Sequence, residues 1–600
     1  MTGRRAELAE LDALHRRSAR ADVPTAVVVT GPGGVGKTTL ALAWLHRLRT
    51  AAPDGALHAD LGGRGTAGPA DPFEVLGDFL RTLGVPPGRV PHRTPDRAAL
   101  YRALTATRRL LVLLDDARTA DQVRPLLPGG PTVTVVTSRD RLPGLAVDGC
   151  APLPLGPLPA GEAVELLART ARRHRLTATD RPARALVELC DGLPLALRLT
   201  GGLLASTPLA PAAAVRALAA ERSRLSGLPT PAAPSVWAAL DVAYRALPGS
   251  VTRLYRLLGL HPGPDLRLEV AVAALGGTEA WQEAVALLVR LHRAHLVAVT
   301  QAAGVGRYHL HPVVRLHAAA RARLETGESE RAAALRRVVD HYLATASYAE
   351  SLLSPHRPPL PRGYPPGAPP VLARGIDGDA DRALRWLTGE EANLVAVVRR
   401  ARALGTPAAC WQLADALWPL YERHGRHDRA RTVYREGLAA ARDCRDTAAE
   451  YRMRTLAGLV ELGDGRATRA LAAFEETARW CRRHGDEVGR ARTLRHRGLA
   501  LRRLGRPAEA AELLARATVA CPRLGDRHTG ALAGADLAEV LLEAGRWEQA
   551  AAAASRAWHR LRELGDATAA ARAAALLARA RRALDRAAAD PRASGDHPGD

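Results

Sequence analysis

The 600-residue chain contains almost no lysine: of its 85 basic residues all but Lys37 are arginine. Asn393 and Ile376 are likewise the only asparagine and isoleucine. Lysine ordinarily ranks among the commonest residues. Lysine, asparagine and isoleucine share AT-rich codons, so a GC-rich genome accounts for their joint scarcity. Under that bias a surviving lysine stands where arginine does not serve. Long apolar runs are missing too. The longest uncharged stretch, Leu199 to Val215, has 17 residues and is broken by Gly201, Gly202, Pro208 and Pro211, which excludes a membrane helix. No apolar stretch follows the basic residues at the N-terminus, which excludes a secretory signal. Cysteine is scarce and scattered. Its six copies form no Cys-x-x-Cys pair, which argues against a zinc site or disulfide scaffold and fits a reducing cytoplasm.

What is present is ordinary for a globular chain: 47% apolar and 24% charged residues, enough for buried cores and against disorder as the main state. At roughly 150 residues per domain, about four domains are expected. Aromatics are only 4%, and the prevailing Ala, Leu and Arg favour helices. The net charge of +23 leaves two readings open. One is a nucleic-acid partner. The other is an arginine bias spread among acidic residues, as in Arg-Ala-Arg-Leu-Glu at 321–325, which gives solubility and non-specific binding rather than a site.

The pattern along the chain predicts a multidomain α/β plus α protein. Residues 1–155 alternate apolar strands (26–30, 57–61, 110–114, 133–137 and 151–155) with helical stretches such as 38–48 and 72–83. Continuous apolar strands separated by helices predict a parallel sheet covered on both faces, the P-loop NTPase arrangement. Residues 156–232 read as a helical subdomain ending at a Pro-rich break, 228–234. Residues 233–325 mix helices with β-like pieces at 296–300 and 308–311, which suits a winged helix. A helical linker region, 326–410, includes 354–370, with eight prolines in 17 residues, expected to be extended and exposed. Residues 586–600 read as a disordered tail.

Between these lies a repeat, 411–585. Gly-Arg-x-x-x-Ala begins at Gly425, Gly465, Gly505 and Gly545, and Asp446, Asp486, Asp526 and Asp566 keep the same period of 40. Two turn signals per period mean two helices, and a helix pair that cannot bury its own face must stack on its neighbours. The pattern resembles the tetratricopeptide repeat in a longer form and predicts an α-solenoid. Cys481 and Cys521 share the register and are expected to be packing residues.

The chemistry is concentrated at Gly31-Pro32-Gly33-Gly34-Val35-Gly36-Lys37-Thr38, followed by Thr39, which fits Gly-x-x-x-x-Gly-Lys-[Ser/Thr] between a strand and a helix. Glycines let successive N–H groups turn inward at phosphate oxygens, and the following helix offers its positive end. Lysine supplies a compact charge that arginine's planar fork does not reproduce. A single lysine placed at random would fall here once in 600 positions. Thr38 is the candidate hydroxyl ligand for Mg²⁺. The apolar strand 110–114 ends in Asp115-Asp116: Asp115 is the candidate to hold Mg²⁺ and Asp116 to orient an attacking water. Arg139, ending the next strand, is placed to touch the γ-phosphate.

Gly3-Arg4-x-x-Glu7-Leu8, the phosphate loop, Leu-Asp-Asp, Thr-Ser-Arg and Gly192-Leu193-Pro194-Leu195 together resemble the NB-ARC group of signal-transduction NTPases, the STAND class. Bacterial regulators of the AfsR type, with C-terminal tetratricopeptide repeats, are the nearest likeness; it covers the chain from Gly3 to about residue 585. The resemblance implies that Arg4 lies near an adenine and that Pro194 packs on base or ribose. It also implies that a winged-helix histidine locks ADP in a closed state. His311 is the candidate, with Pro312 where Asp is usual. AfsR-type regulators carry an N-terminal DNA-binding segment, whereas this sequence begins at the ATPase. The expected activity is an ADP/ATP switch with slow hydrolysis, sensing a protein or peptide through its repeats. A nucleotide-dependent homo-oligomer stays open. The alternative is a transcription regulator that contacts DNA with its own winged helix and arginines; a metabolic kinase would explain neither repeats nor winged helix.

Overall fold

The computed structural model describes the chain except for residues 1, 21–22, 63–68, 173, 175, 226–232, 303–304, 358, 362–375, 377 and 590–600. Most of the Pro-rich break, the larger part of the Pro-rich linker and the end of the tail lie outside the described residues. The chain divides into two compact units. One comprises 1–342 with 371–373 and 392–397, the other 343–370, 374–391 and 398–600.

The first unit is built on five parallel strands: β1 (Thr25–Thr30), β2 (Ala56–Asp60), β3 (Leu111–Ala117), β4 (Val133–Ser138) and β5 (Ala151–Pro154), in the order β2-β3-β4-β1-β5. Val27, Val29, Val112, Leu114, Val135 and Val136 are all buried, as strands covered on both faces require. On one face Val112, Leu114 and Val136 pack with Leu76, Leu80 and Tyr101 from the helices Pro72–Thr82 and Thr94–Thr105. The order puts β4 between the strand that leads into the phosphate loop and the strand that carries the acidic pair. β3 runs three residues beyond its apolar stretch. Its register with β4 shifts between Leu114 and Ala117, and Asp116 takes a left-handed φ of 54°. Such a bulge re-aims side chains at a sheet's edge.

Helices follow at Ala160–Ala171, Arg181–Leu189, Pro194–Ser206 and Pro211–Leu225. Next comes a helical stretch whose small antiparallel sheet joins β6 (Asp265–Leu266), β7 (Ala298–Ala302) and β8 (Val305–His309) in the order β6-β8-β7, as a winged helix requires. The expected strand 308–311 stops at His309, because Pro312 opens the helix Pro312–Glu325 with His311 as its N-cap.

The second unit carries paired helices of near-constant length from Thr447 to Glu563, joined by short turns. The period of 40 has a physical basis at both markers. Asp446, Asp486, Asp526 and Asp566 each cap a helix, accepting from the backbone N–H three residues on; such a cap is worth about 1 kcal/mol. Ala430, Ala470, Ala510 and Ala550 are fully buried, where a larger side chain would hold the helices apart. Cys481 and Cys521 are buried, as expected.

Two expectations need correction. The final helix, Ala567–Ala589, continues through residues assigned to a disordered tail from 586, because its Ala-rich sequence sustains the helix. The linker is not extended and exposed from 354: Arg357 is 14% exposed and ion-paired to Glu350 and Asp415, because two carboxylates compensate its burial. Among the described residues no helix is long and apolar enough to cross a membrane.

Candidate functional site

The helix Lys37–Arg47 begins at Gly36 without a side-chain cap among the described residues, so its first turn opens on backbone N–H groups. Gly31 and Gly34 show why the preceding loop needs glycine. A Cβ on Gly31 would sit 2.4 Å from the Leu155 carbonyl oxygen, and one on Gly34 would meet Leu195 at 3.0 Å, with φ of +150° and +86°. Lys37 Nζ donates to the carbonyls of Gly31 (2.8 Å) and Pro32 (3.0 Å) and is 9% exposed. Burial and the neighbouring Arg139 cation lower its pKa to about 8, against the pull of Asp116 and Asp115. The ammonium is thus held at the loop with two neutral acceptors, ready for a stronger anionic one.

Thr38 Oγ1 donates to Asp115 Oδ1 at 2.8 Å, and Thr137 of β4 donates to the same carboxylate oxygen. Thr137 Oγ1 also accepts from the Asp116 N–H at 2.9 Å. The inserted strand β4 therefore fixes both acids. Arg139 Nε lies 3.2 Å from Asp116 Oδ1, with both side chains mostly buried. Arg139, expected to face a phosphate, is here the partner of the residue expected to orient water.

Arg4 is 2% exposed and ties three segments together. Its guanidinium donates to the carbonyls of Val35 (3.1 Å) and Gly156 (2.5 Å) and pairs with Glu7. Its backbone N–H donates to Glu162 at 2.8 Å. Pro194 begins its helix beside the loop: a Cβ on Gly36 would be 3.9 Å from Pro194 Cγ, and the Leu195 N–H donates to the Gly34 carbonyl at 3.1 Å. From the winged helix, Val313 approaches Gly33, where a Cβ would meet it at 3.6 Å. His311 Nδ1 accepts from the Val313 N–H at 3.3 Å, which puts the ring proton on Nε2, free to donate. The surrounding protein and the Arg139 and Lys37 cations lower the His311 pKa to about 4, although its own surface opens onto a cavity. The ring is therefore neutral near pH 7. Pro312 in place of Asp is explained by its position as first residue of the helix.

Residues 33–39, Arg4, Asp115, Asp116, Arg139, Pro194 and His311 all line one cavity of about 2250 Å³. Gly31 and Pro32 do not line it; their carbonyls hold Lys37 from behind. A glycine cradle, an uncapped helix start, a lysine on neutral acceptors and a hydroxyl–carboxylate pair fit a nucleoside phosphate with its Mg²⁺.

The regulatory protein AfsR of Streptomyces coelicolor is 39% identical over 491 residues, which are 80% of this chain and 47% of that protein. The regulatory protein AfsR of Streptomyces griseus is 35% identical over 545 residues, 90% of this chain and 54% of that protein. The chain is a homologue of the AfsR-type regulators. It spans about half the length of the two regulators it matches. No family model matches it. Among solved structures, a STAND protein with a tetratricopeptide repeat sensor from Pyrococcus horikoshii aligns over 100% of this chain and 90% of its own, at 16% identity and a TM-score of 0.41.

Part of the cavity was not legible in the sequence. Asp60, ending β2, stands in register with Asp115. Burial and the two nearby carboxylates, Asp115 and Asp116, raise its pKa. Its signal was its place at a strand's C-terminal end, beside a second strand ending in Asp. Arg198, Arg290, Arg293 and His309 also line the cavity, and as single residues in an arginine-rich helical sequence they carried no signal. Among the described residues that line it, Lys37 and eight arginines thus face three acids, Asp60, Asp115 and Asp116, a balance suited to a polyanion.

Proposed function

We propose that the chain is a nucleotide-operated signalling switch, in which ADP holds residues 1–325 closed, exchange for ATP opens them, and slow hydrolysis resets the cycle. The observation that carries this reading is the meeting of Pro194–Leu195 and of His311–Val313 on the loop Gly33–Gly36. Segments more than 150 residues away in sequence close over the place where phosphates would lie, so a ligand there bonds to all of them at once. Lys37 and the loop N–H groups take the phosphates, His311 donates from Nε2, and Pro194 and Arg4 flank the remainder. Thr38 and Asp115 would hold Mg²⁺, which neutralises phosphate charge when bound. Asp116 orients water once Arg139 releases it. Its pairing with Arg139 therefore belongs to a resting arrangement. The switch energy is the difference in ATP affinity between open and closed states.

In this reading 1–155 is the NTPase domain, 156–232 the helical and 233–325 the winged-helix subdomain, and 411–585 the module that senses a protein or peptide partner. A regulatory output, as the name of the AfsR relatives states for them, is the role proposed here. The test is nucleotide content and turnover. Purified chain should release ADP on denaturation, Lys37→Ala should not, and Asp116→Asn should bind ATP without turning it over. Equal ADP affinity in the wild type and Lys37→Ala would overturn the reading.

A further inference from the structure

The helices Pro407–Ala416, Thr447–Gly463, Glu487–Arg503, Arg527–Glu543 and Ala567–Ala589 touch one another in succession more closely than the alternate helices do. In a curved stack, the set whose members approach each other lines the concave side. Asp415, Arg452, Arg495 and His528 sit on that set, and the inner face already has an occupant. Directly after the helix Glu328–Leu353 the chain turns onto it with Ser354-Pro355-His356-Arg357. Arg357 donates through Nη2 to Asp415 Oδ1 at 2.5 Å and through Nη1 to the Asp415 carbonyl at 3.1 Å, and pairs with Glu350. Arg423 donates to the Leu353 carbonyl at 2.8 Å. The neighbouring His356 stacks on His528, ring centroids 5.7 Å apart, and lies beside Gly565. Two consecutive residues thus touch helices more than 100 positions apart in the stack. Besides Asp415 and Glu350, the Glu422 carboxylate feels the charges of Arg423, Arg357 and Arg495.

We propose that the inner face of the repeats is a peptide-binding groove which the chain's own His356–Arg357 turn fills as a resident ligand, and that the activating partner is an arginine–proline peptide that takes its seat. The proposal rests on the reading of the repeats as the partner-binding module and names the chemistry that module accepts. Asp415 is fully buried and Arg452 lies 3.5 Å from it. The seat therefore selects a second cation whose planar fork can reach a carboxylate and a backbone carbonyl together, which arginine does and lysine does not. The Arg357 N–H donates to the Ser354 carbonyl at 3.0 Å, closing a turn in which Pro355 fixes its own backbone angle, so less entropy is lost on seating it. An internal ligand lowers the groove's apparent affinity by the fraction of time it is seated, so only a peptide of comparable chemistry at sufficient concentration enters.

The experiment uses the full chain and a fluorescein-labelled peptide of residues 352–361. His356→Ala/Arg357→Ala should bind it at least tenfold more tightly than wild type, and a peptide with alanine at the Arg357 position should lose that binding. Arg452 still faces Asp415 in this variant. If it nonetheless fails to fold, hydrogen exchange decides on the wild type: excess unlabelled peptide should raise exchange at 354–357. Equal peptide binding by a folded variant and wild type, or unchanged exchange at saturating peptide, overturns the proposal. Nucleotide exchange measured in the same samples separates the two readings. Groove binding without any change in exchange counts against the repeats as regulator and leaves the groove standing. ADP binding without groove binding refutes the groove alone.

Discussion

The lone lysine makes nucleotide affinity a titration of one group. Lys37 in the free site has a pKa of about 8, lowered first by burial and then by Arg139. A bound phosphate favours the ammonium, so the pKa in the complex lies above that in the free site. Affinity is then full below pH 8 and declines as pH rises through it, because binding must first return a proton to the lysine. At pH 9 about one site in eleven is charged, so Kd should be about tenfold weaker than at pH 7, roughly 1.4 kcal/mol. Calorimetric titration of ADP in buffers of different ionisation enthalpy measures both quantities. Proton uptake should approach one per site above pH 8 and vanish below pH 7. Removing the guanidinium in Arg139→Ala should move the midpoint to higher pH, since the cation that lowers the lysine is gone. In Lys37→Arg the decline should disappear. A Kd unchanged between pH 7 and 9.5 in the wild type, or a midpoint that stays put in Arg139→Ala, would refute the argument that desolvation and a neighbouring cation set this lysine's charge.

In the repeats, Ala510→Leu should cost about 1–3 kcal/mol, because the fully buried position has no room between its helices; a urea midpoint equal to wild type would contradict that packing. Asp526 both caps its helix and pairs with Arg492 at 2.5 Å, so Asp526→Ala should lose about 1–2 kcal/mol in the same assay, with Asp526→Asn recovering the cap's share. Stability should also fall in acid. Burial, reinforced by Arg315, Arg267 and Arg495 in turn, lowers His261 to about 3, His341 to about 4 and His496 to about 3. Each contributes fully above pH 6.5 and is lost as pH falls toward 4, by about 3 kcal/mol apiece at pH 4. Urea midpoints measured from pH 7 to 4 check this, and His496→Gln should flatten the slope.

The phosphate loop, the five strands, the acidic pair and the period of 40 were legible in the sequence because each depends on local chemistry. A glycine turn must bend, a buried parallel strand must be apolar, and a helix pair needs a cap at one end and a small residue where it touches its neighbour. Lys37 was legible for a different reason: a composition that discards lysine elsewhere marks the place where only lysine serves. What the tertiary structure alone decided are relations between distant segments. Arg139 meets Asp116 because β4 lies between β1 and β3. His311 presents Nε2 because its Nδ1 caps the helix Pro312–Glu325. Asp60 joins the site through register with β3. The prolines after Leu353 promised a free linker, yet Arg357 is half-buried and ion-paired to Asp415, 58 residues on. Proline content fixes how stiff a segment is, whereas its location depends on a carboxylate that only the folded stack of helices brings to it.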